Sequence, residues 1–297
     1  MNVGTNGIVV DQYGNVLLIK RNDTRTFAPP GGALDANELP PDGAAREVRE
    51  ETGLIVLPVR LVAVSYLALS PFGHLSFSFR CLLRGGEIAT SDESPSVGFY
   101  KTTPLPRRIS SFHRDRMESG LTHADERPLF FQHRLSTFNK AARFILQNVV
   151  YRWLDLKRKL KRQPPYQPPP QWKVATYLLY ANKNGQYLWH RPNDNAPWQL
   201  PGGVVTKLQS PWDTAVQLAQ QQTGHTLQPQ QLSDVYLGPE GNQLSLVFMA
   251  NAQQSVANAA IGWFAPGQEP AESHPHHRQM AATATLTSQP TQFHTFA

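Results

Sequence analysis

The sequence predicts an α/β protein built from two tandem copies of one unit. Recurrence is the first observation. Gly14-Asn15-Val16-Leu17-Leu18-Ile19-Lys20 returns 171 residues later as Gly185-Gln186-Tyr187-Leu188-Trp189-His190-Arg191, and Phe27-Ala28-Pro29-Pro30-Gly31-Gly32 returns at the same shift as Trp198-Gln199-Leu200-Pro201-Gly202-Gly203. Size is the second: 297 residues with 40% hydrophobic content provide two ordinary cores. The third is order within a copy, which reads strand, Gly-containing turn, strand, Gly-Gly loop, helix, further strands. Leu75–Phe79 answers Leu244–Phe248 at a shift of 169, and Val97–Tyr100 answers Ile261–Phe264 at 164. The second copy is therefore shorter by a few loop residues. Repeats this long are domains rather than solenoid units.

Taking the elements in order, Ile8–Val10 and Val16–Ile19 flank Asp11-Gln12-Tyr13-Gly14, a hairpin signal. Pro40 and Pro41 are tolerated only in a helix's first turn, where their missing N–H groups have no intrahelical acceptor. Asp42 suits the positive end of the dipole, and Gly53 suits a left-handed stop. The spacing predicts a helix over 40–52. Phe138, Ala142, Ile145, Val149, Trp153, Leu156 and Leu160 form one helical face across 134–162. The end of that segment is basic, through Arg152, Lys157, Arg158, Lys159, Lys161 and Arg162. A packed helix with a solvated basic end is the expectation, and contact with RNA or an anionic membrane surface is the alternative. Gln163 to Gln171 is Pro-rich, a semi-rigid spacer of up to ~28 Å at ~3.1 Å per residue. Pro275 to Met280 echoes Ser111 to Met117 and is the second copy's last helix. The expected organisation is a catalytic domain over 1–130, helix and linker over 131–171, a degenerate copy over 172–282, and a flexible Thr/Ala/Gln-rich tail over 283–297.

The net charge of +6 favours anionic partners only in a general way. No run of about 18 apolar residues and no charged start leading into an apolar stretch is present, so neither membrane spanning nor secretion is expected. Cys81 is the single cysteine. It excludes an intrachain disulfide and fits a reducing, cytoplasmic setting. Its apolar surroundings, Phe77 to Leu83, indicate a packing role.

The chemistry is concentrated in residues 32–54, which run Gly32, five residues, Glu38, seven residues, then Arg46-Glu47-Val48-Arg49-Glu50-Glu51-Thr52-Gly53-Leu54. On a helix Glu47, Glu50 and Glu51 stand at i, i+3 and i+4, so three carboxylates leave one face within a turn. They repel one another unless a hard divalent cation joins them. Mg²⁺ seeks carboxylate oxygens and bridges to phosphates, and Mn²⁺ is the alternative. Glu38 supports such a site from behind, and Arg46 orients a carboxylate. Gly31-Gly32 lets backbone approach closely, offering a carbonyl to metal or an amide to phosphate. Lys20, Arg21 and Arg25 are candidate phosphate contacts.

The pattern GX5EX7REUXEEXGU (U bulky and apolar) is that of the Nudix box, and residues 1–120 resemble a Nudix hydrolase domain, with 172–282 resembling a degenerate one. A chance match of the fixed letters is roughly 10⁻⁹ per start position. The resemblance implies an α/β/α sandwich around a mixed sheet. It implies metal binding by Glu47, Glu50, Glu51 and the Gly31 carbonyl, with a further acid from a later loop at Glu93. It implies hydrolysis of a nucleoside diphosphate linked to some group X, with Glu47 assisting as base. One departure is Pro29, where the family commonly has Leu, as the second copy does at Leu200.

In the second copy Glu38, Arg46, Glu47, Glu50 and Glu51 become Gln209, Gln217, Leu218, Gln221 and Gln222. Amides carry no charge for a hard cation, so this copy is expected to be non-catalytic. It is open to a role as an intrachain dimer partner, as a nucleotide- or effector-sensing cleft with Trp189, Trp198 or Trp212 as stacking faces, or to no role. A regulatory sensor built on two Nudix folds is the competing reading of the whole chain.

Overall fold

The computed structural model describes residues 1–22, 24–68, 73–91, 94–134, 169–206, 208–254, 261–284 and 290–296. In the first half a five-stranded mixed sheet has the order β4 (Gly31–Ala33), β1 (Asn2–Val9), β6 (His74–Gly86), β5 (Leu54–Ala68), β8 (Leu129–Arg134). The β1–β6 and β5–β8 pairs are parallel, and β4–β1 and β5–β6 are antiparallel. Helices α1 (Pro40–Thr52) and α2 (Ser111–Thr122) cover opposite faces. Alternation along β1 shows this directly: a Cβ on Gly7 would strike Val48 of α1, whereas the next residue, Ile8, lies against Gly120 of α2. A smaller sheet, β3 (Phe27–Ala28), β2 (Val16–Lys20), β7 (Ser96–Tyr100), completes the unit.

The second half repeats this plan. Its sheet order is β11 (Gly202–Val204), β9 (Lys173–Leu179), β13 (Gln243–Gln254), β12 (Thr226–Leu237), β15 (Gln292–Thr295), beside a β10 (Tyr187–His190) and β14 (Ile261–Phe264) pair. Helices α3 (Pro211–Thr223) and α4 (Pro275–Thr283) stand where α1 and α2 do. The tight turns match to the atom: Asp11 Oδ1 accepts from Tyr13 and Asn15 N–H, as Asn182 Oδ1 does from Asn184 and Gln186.

The structure corrects three expectations. The turn at 11–14 forms, but its arms do not make a hairpin beyond one bridge, Val10 to Val16. Both edges of β1 are already taken by β4 and β6, so β2 pairs with β3 and β7 instead. The boundary at 130/131 falls inside β8, which runs to Arg134. The tail is not loose where it is described. Thr291 Oγ1 donates to Leu232 O, and Gln292–Thr295 pairs in parallel with β12. This fills the edge position that β8 holds in the first half. The amphipathic basic helix and most of the Pro-rich linker lie outside the described residues. Among the described residues no helix is long and apolar enough to cross a membrane.

One apolar cluster runs through both halves, including Val64, Phe77 and Phe79 with Val235, Leu246 and Phe248. Trp212 of α3 packs edge-on to Tyr66 and against Phe130, at 6.4 and 5.4 Å between ring centres. Trp189 is fully buried, and Trp198 is set edge-on to Phe264. All three tryptophans offered as stacking faces are engaged in packing. Cys81 is buried as expected, its thiol pushed up to about 12 by burial.

Candidate active site

Helix α1 begins at Pro40 and Pro41 without a side-chain cap and ends at Gly53, whose φ of 75° lets its N–H close on Arg49 O. Those two ends fix which face carries the acids. Glu47, Glu50 and Glu51 emerge toward β4, where backbone contact requires glycine at 31 and the Glu47 carboxylate lies against Gly32. A Cβ on Gly31 would meet the Thr5 carbonyl, and one on Gly32 would meet the Glu47 carboxylate. Glu51 Oε2 accepts from the Gly31 N–H at 2.7 Å.

Arg46 is the hub. Its Nε and Nη2 reach the two oxygens of Glu38 at 2.8 and 2.9 Å, a two-point grip. Nη2 also donates to Ala33 O at 3.0 Å, and Nη1 donates to Glu47 Oε1 and Glu50 Oε2, both at 3.0 Å. Asp35 adds an ion pair at 3.6 Å. The guanidinium is held well above its ordinary pKa, first by the hydrogen bonds to Glu38. Glu47 moves the other way from a simple ion pair. Burial outweighs Arg46 and pushes its carboxyl up to about 7. Glu51 also rises to about 7, through burial first and the neighbouring Glu47 charge, against the Gly31 N–H, Arg21 and Ser94. Glu50 is 54% exposed at its side chain.

Of the expected residues, the structure brings together Gly31, Glu38, Arg46, Glu47, Glu50 and Glu51, with Arg21 close enough to favour the ionised Glu51. Lys20 ends β2, and Arg25 is an exposed loop residue with φ of 55°. Neither makes an ion pair with described residues. Glu93 lies outside the described residues. Its neighbour Ser94 was not anticipated and donates to Glu51 Oε1 at 3.3 Å. Pro29 leaves the local backbone intact: Gly7 N–H still reaches Pro30 O, as Leu178 N–H reaches Pro201 O. The difference is that Leu200 has an N–H to satisfy, which His277 Nδ1 accepts at 3.1 Å.

Among the described residues no three His, Cys, Asp or Glu side chains are arranged to grip an ion as they stand, because Arg46 Nη1 bridges Glu47 and Glu50 while Glu51 rests on Gly31. The donor chemistry nonetheless fits a hard divalent ion. Three carboxylates leave one turn, and two of them have lost water without gaining enough positive charge to keep an ordinary pKa. The second half offers no such set. Gln222 pairs its amide with both the Gly202 N–H and the Gly202 carbonyl, each at 2.8 Å, and Leu218 lies beside Gly203.

Residues 2–108 match the NUDIX domain family. Over 123 residues the chain is 35% identical to a MutT-like protein of Streptomyces ambofaciens, a match covering 41% of this chain and 79% of that protein. It is 34% identical over 104 residues to an ADP-ribose pyrophosphatase of Methanocaldococcus jannaschii, covering 33% of this chain and 62% of that one. A solved NUDIX hydrolase from Nitrosomonas europaea is 24% identical, with 45% of this chain and 79% of that chain covered at a TM-score of 0.40. The chain belongs to the Nudix hydrolase family, through a box that is intact in its first half.

Proposed function

We propose that the first half hydrolyses the pyrophosphate bond of a nucleoside diphosphate linked to X, and that the second half is a non-catalytic, built-in partner. The observation that carries this reading is the Arg46 hub, which gathers Glu38, Glu47 and Glu50 beside a Glu51 set on the Gly31 amide. Glu47, Glu50, Glu51 and the Gly31 carbonyl would hold Mg²⁺ or Mn²⁺, which when bound neutralises the pyrophosphate and polarises a phosphoryl oxygen. Water attacks one phosphorus in line, the bridging P–O bond breaks, and the water's proton passes to a carboxylate. We assign that last step to Glu47, which Arg46 Nη1 holds by a hydrogen bond to Oε1. Arg46, anchored by Glu38 and the Ala33 carbonyl, keeps the carboxylate face in register. Arg21, whose charge is felt by Glu51, is the first candidate to meet a phosphate, with Lys20 and Arg25 as the others. Ser94 borders the acids through its bond to Glu51, and Glu93, next to it in sequence, is the proposed further acid.

Relatives include proteins named as an ADP-ribose pyrophosphatase and an 8-oxo-dGDP phosphatase, so ADP-ribose and 8-oxo-dGDP head the panel of candidate substrates. The test measures phosphate released after phosphatase coupling, with Mg²⁺ or Mn²⁺, for the natural chain and for Glu47→Gln with Glu50→Gln. Turnover by the natural chain and none by the double variant is expected. Metal-dependent turnover surviving in the double variant would transfer the activity to the second half. Silence across the whole panel, with nucleotide binding retained, would favour the sensor.

A further inference from the structure

The loop between β4 and α1 carries Glu38, the residue that anchors Arg46, and the second half holds that loop at both ends. At its start, the indole Nε1 of Trp172 donates to Leu34 O at 3.3 Å, both side chains being buried. At its end, Asn37 N–H donates to Gly241 O at 2.6 Å. Asn37 is at φ 65°, in the left-handed region that asparagine tolerates better than other side chains and glycine better still. Gly241 sits at φ 72° in a turn closed by its own N–H on Gly238 O, and a Cβ there would land on the Asn37 side-chain amide. Asn242 Nδ2 donates to Gln171 O, and Asn242 O accepts from Lys173 N–H, so the turn and the Trp172 segment are tied together. Within the loop, Asp35 N–H and the Arg46 fork meet on the Glu38 carboxylate.

We infer that Trp172 and Gly241 are positioning residues for the carboxylates on α1, acting through the 34–38 loop and the Glu38–Arg46 grip. This deepens the hydrolase reading and rests on it for its metal, but it is read out by ion binding rather than by turnover. The second half then matters to the chemistry because it supplies two hydrogen bonds to the loop, not because it has a site of its own. The physical cause is ordinary. A loop fixed at one end by β4 and at the other by α1 still has freedom at Asp35 to Asn37, and each outside bond removes part of it.

The experiment titrates Mn²⁺ alone, by its paramagnetic resonance signal, into the full chain and four variants. Trp172→Phe keeps the ring in the core and removes the donor. Gly241→Ala forces a side chain onto Asn37. Gly267→Ala is the control, since it carries the same kind of left-handed φ, 81°, with nothing within 4 Å of the new Cβ. Gly241→Ala combined with Asn37→Gly tests rescue by removing the clashing amide and relaxing the left-handed position. Losing one such bond is expected to weaken Mn²⁺ binding about tenfold in Trp172→Phe and Gly241→Ala. Gly267→Ala should carry the cost of the left-handed φ alone and bind Mn²⁺ as the natural chain does, and the double variant should recover most of the loss. If Trp172→Phe and Gly241→Ala bind Mn²⁺ like the control, the inference is overturned. If all five proteins fail to bind Mn²⁺, the metal reading beneath it falls instead.

Discussion

Met1 and Trp172, equivalent positions of the two copies, each donate a main-chain nitrogen to the other's carbonyl at 2.8 Å. A contact between a residue and its own counterpart is what an approximate two-fold arrangement produces. The aromatic pairs obey the same rule. Phe79 packs on Phe293 at 5.5 Å and 50°, while Phe130 packs on Phe248 at 5.7 Å and 53°. Phe130 and Phe293 are equivalent through the strand register, since they pair with Val64 and Val235.

That mirrored packing predicts that damage to the second half is felt in the first. Phe248 is fully buried, and Phe248→Ala should cost about 3–5 kcal/mol. Five of the six tryptophans lie in the second half and none precedes residue 153, so their emission reports chiefly the second half, while amide exchange in β5 reports the first. We expect both signals to shift to lower urea together. A variant in which β5 amides keep their protection while tryptophan emission is lost would separate the halves.

Arg46→Lys should lower kcat/KM about 10–100-fold without unfolding the chain, because a single ammonium cannot hold Glu38 by two bonds and still reach Ala33 O, Glu47 and Glu50. Turnover should be compared at saturating Mg²⁺ on whichever panel compound the natural chain cleaves, with melting temperature followed in parallel. Natural-level turnover in the lysine variant would mean the fork plays no part in ordering the acids.

Gln222 shows what the Glu51 position does without a charge. Its amide satisfies both the N–H and the carbonyl of Gly202, whereas Glu51 reaches the N–H but not the carbonyl of Gly31, accepts also from Ser94, and remains a buried carboxylate pushed up to about 7. Glu51→Gln should therefore stabilise the metal-free protein by about 1 kcal/mol, by removing a buried ionisable group and adding a donor. It should also abolish hydrolysis. The pair of measurements is a denaturation midpoint in EDTA and the panel assay. A less stable Glu51→Gln protein would contradict the comparison between the copies.

Much of the site was legible because its chemistry is local in sequence. Glu47, Glu50 and Glu51 stand at i, i+3 and i+4 of α1, and helix geometry alone put them on one face, between the prolines at 40 and 41 and Gly53. Contacts made at a distance were not legible. Ser94 on Glu51, Gly241 on Asn37 and Trp172 on Leu34 join segments separated by tens to hundreds of residues, and nothing in a strand's own pattern names its partner. The hairpin expectation failed for the same reason, since β1 had better partners elsewhere. The tail was misread because Thr/Ala/Gln composition masks the short Phe293-His294-Thr295-Phe296 segment. Its alternation matters only once β12 offers an edge.

The second half should carry an acid sensitivity that the first does not dictate. His277 is buried, with Nδ1 accepting from Leu200 N–H, and burial with the nearby His274, His190 and His276 pushes its pKa down to about 3. His190 is pushed down to about 4 by burial. Both folded values lie below the unfolded value of about 6.5. Above that pH neither state binds the proton, and the histidines' contribution is fully present. As pH falls below it, the unfolded chain takes up protons that the folded chain refuses, so stability drops by about 1.4 kcal/mol per pH unit for each histidine, until the folded pKa is reached. Urea midpoints followed by tryptophan emission at pH 7.5, 6 and 5 should fall steadily. His277→Gln, which keeps an acceptor for Leu200 and cannot be protonated in this range, should show a shallower slope. Equal slopes in the two proteins would rule out His277 as a source of the acid sensitivity.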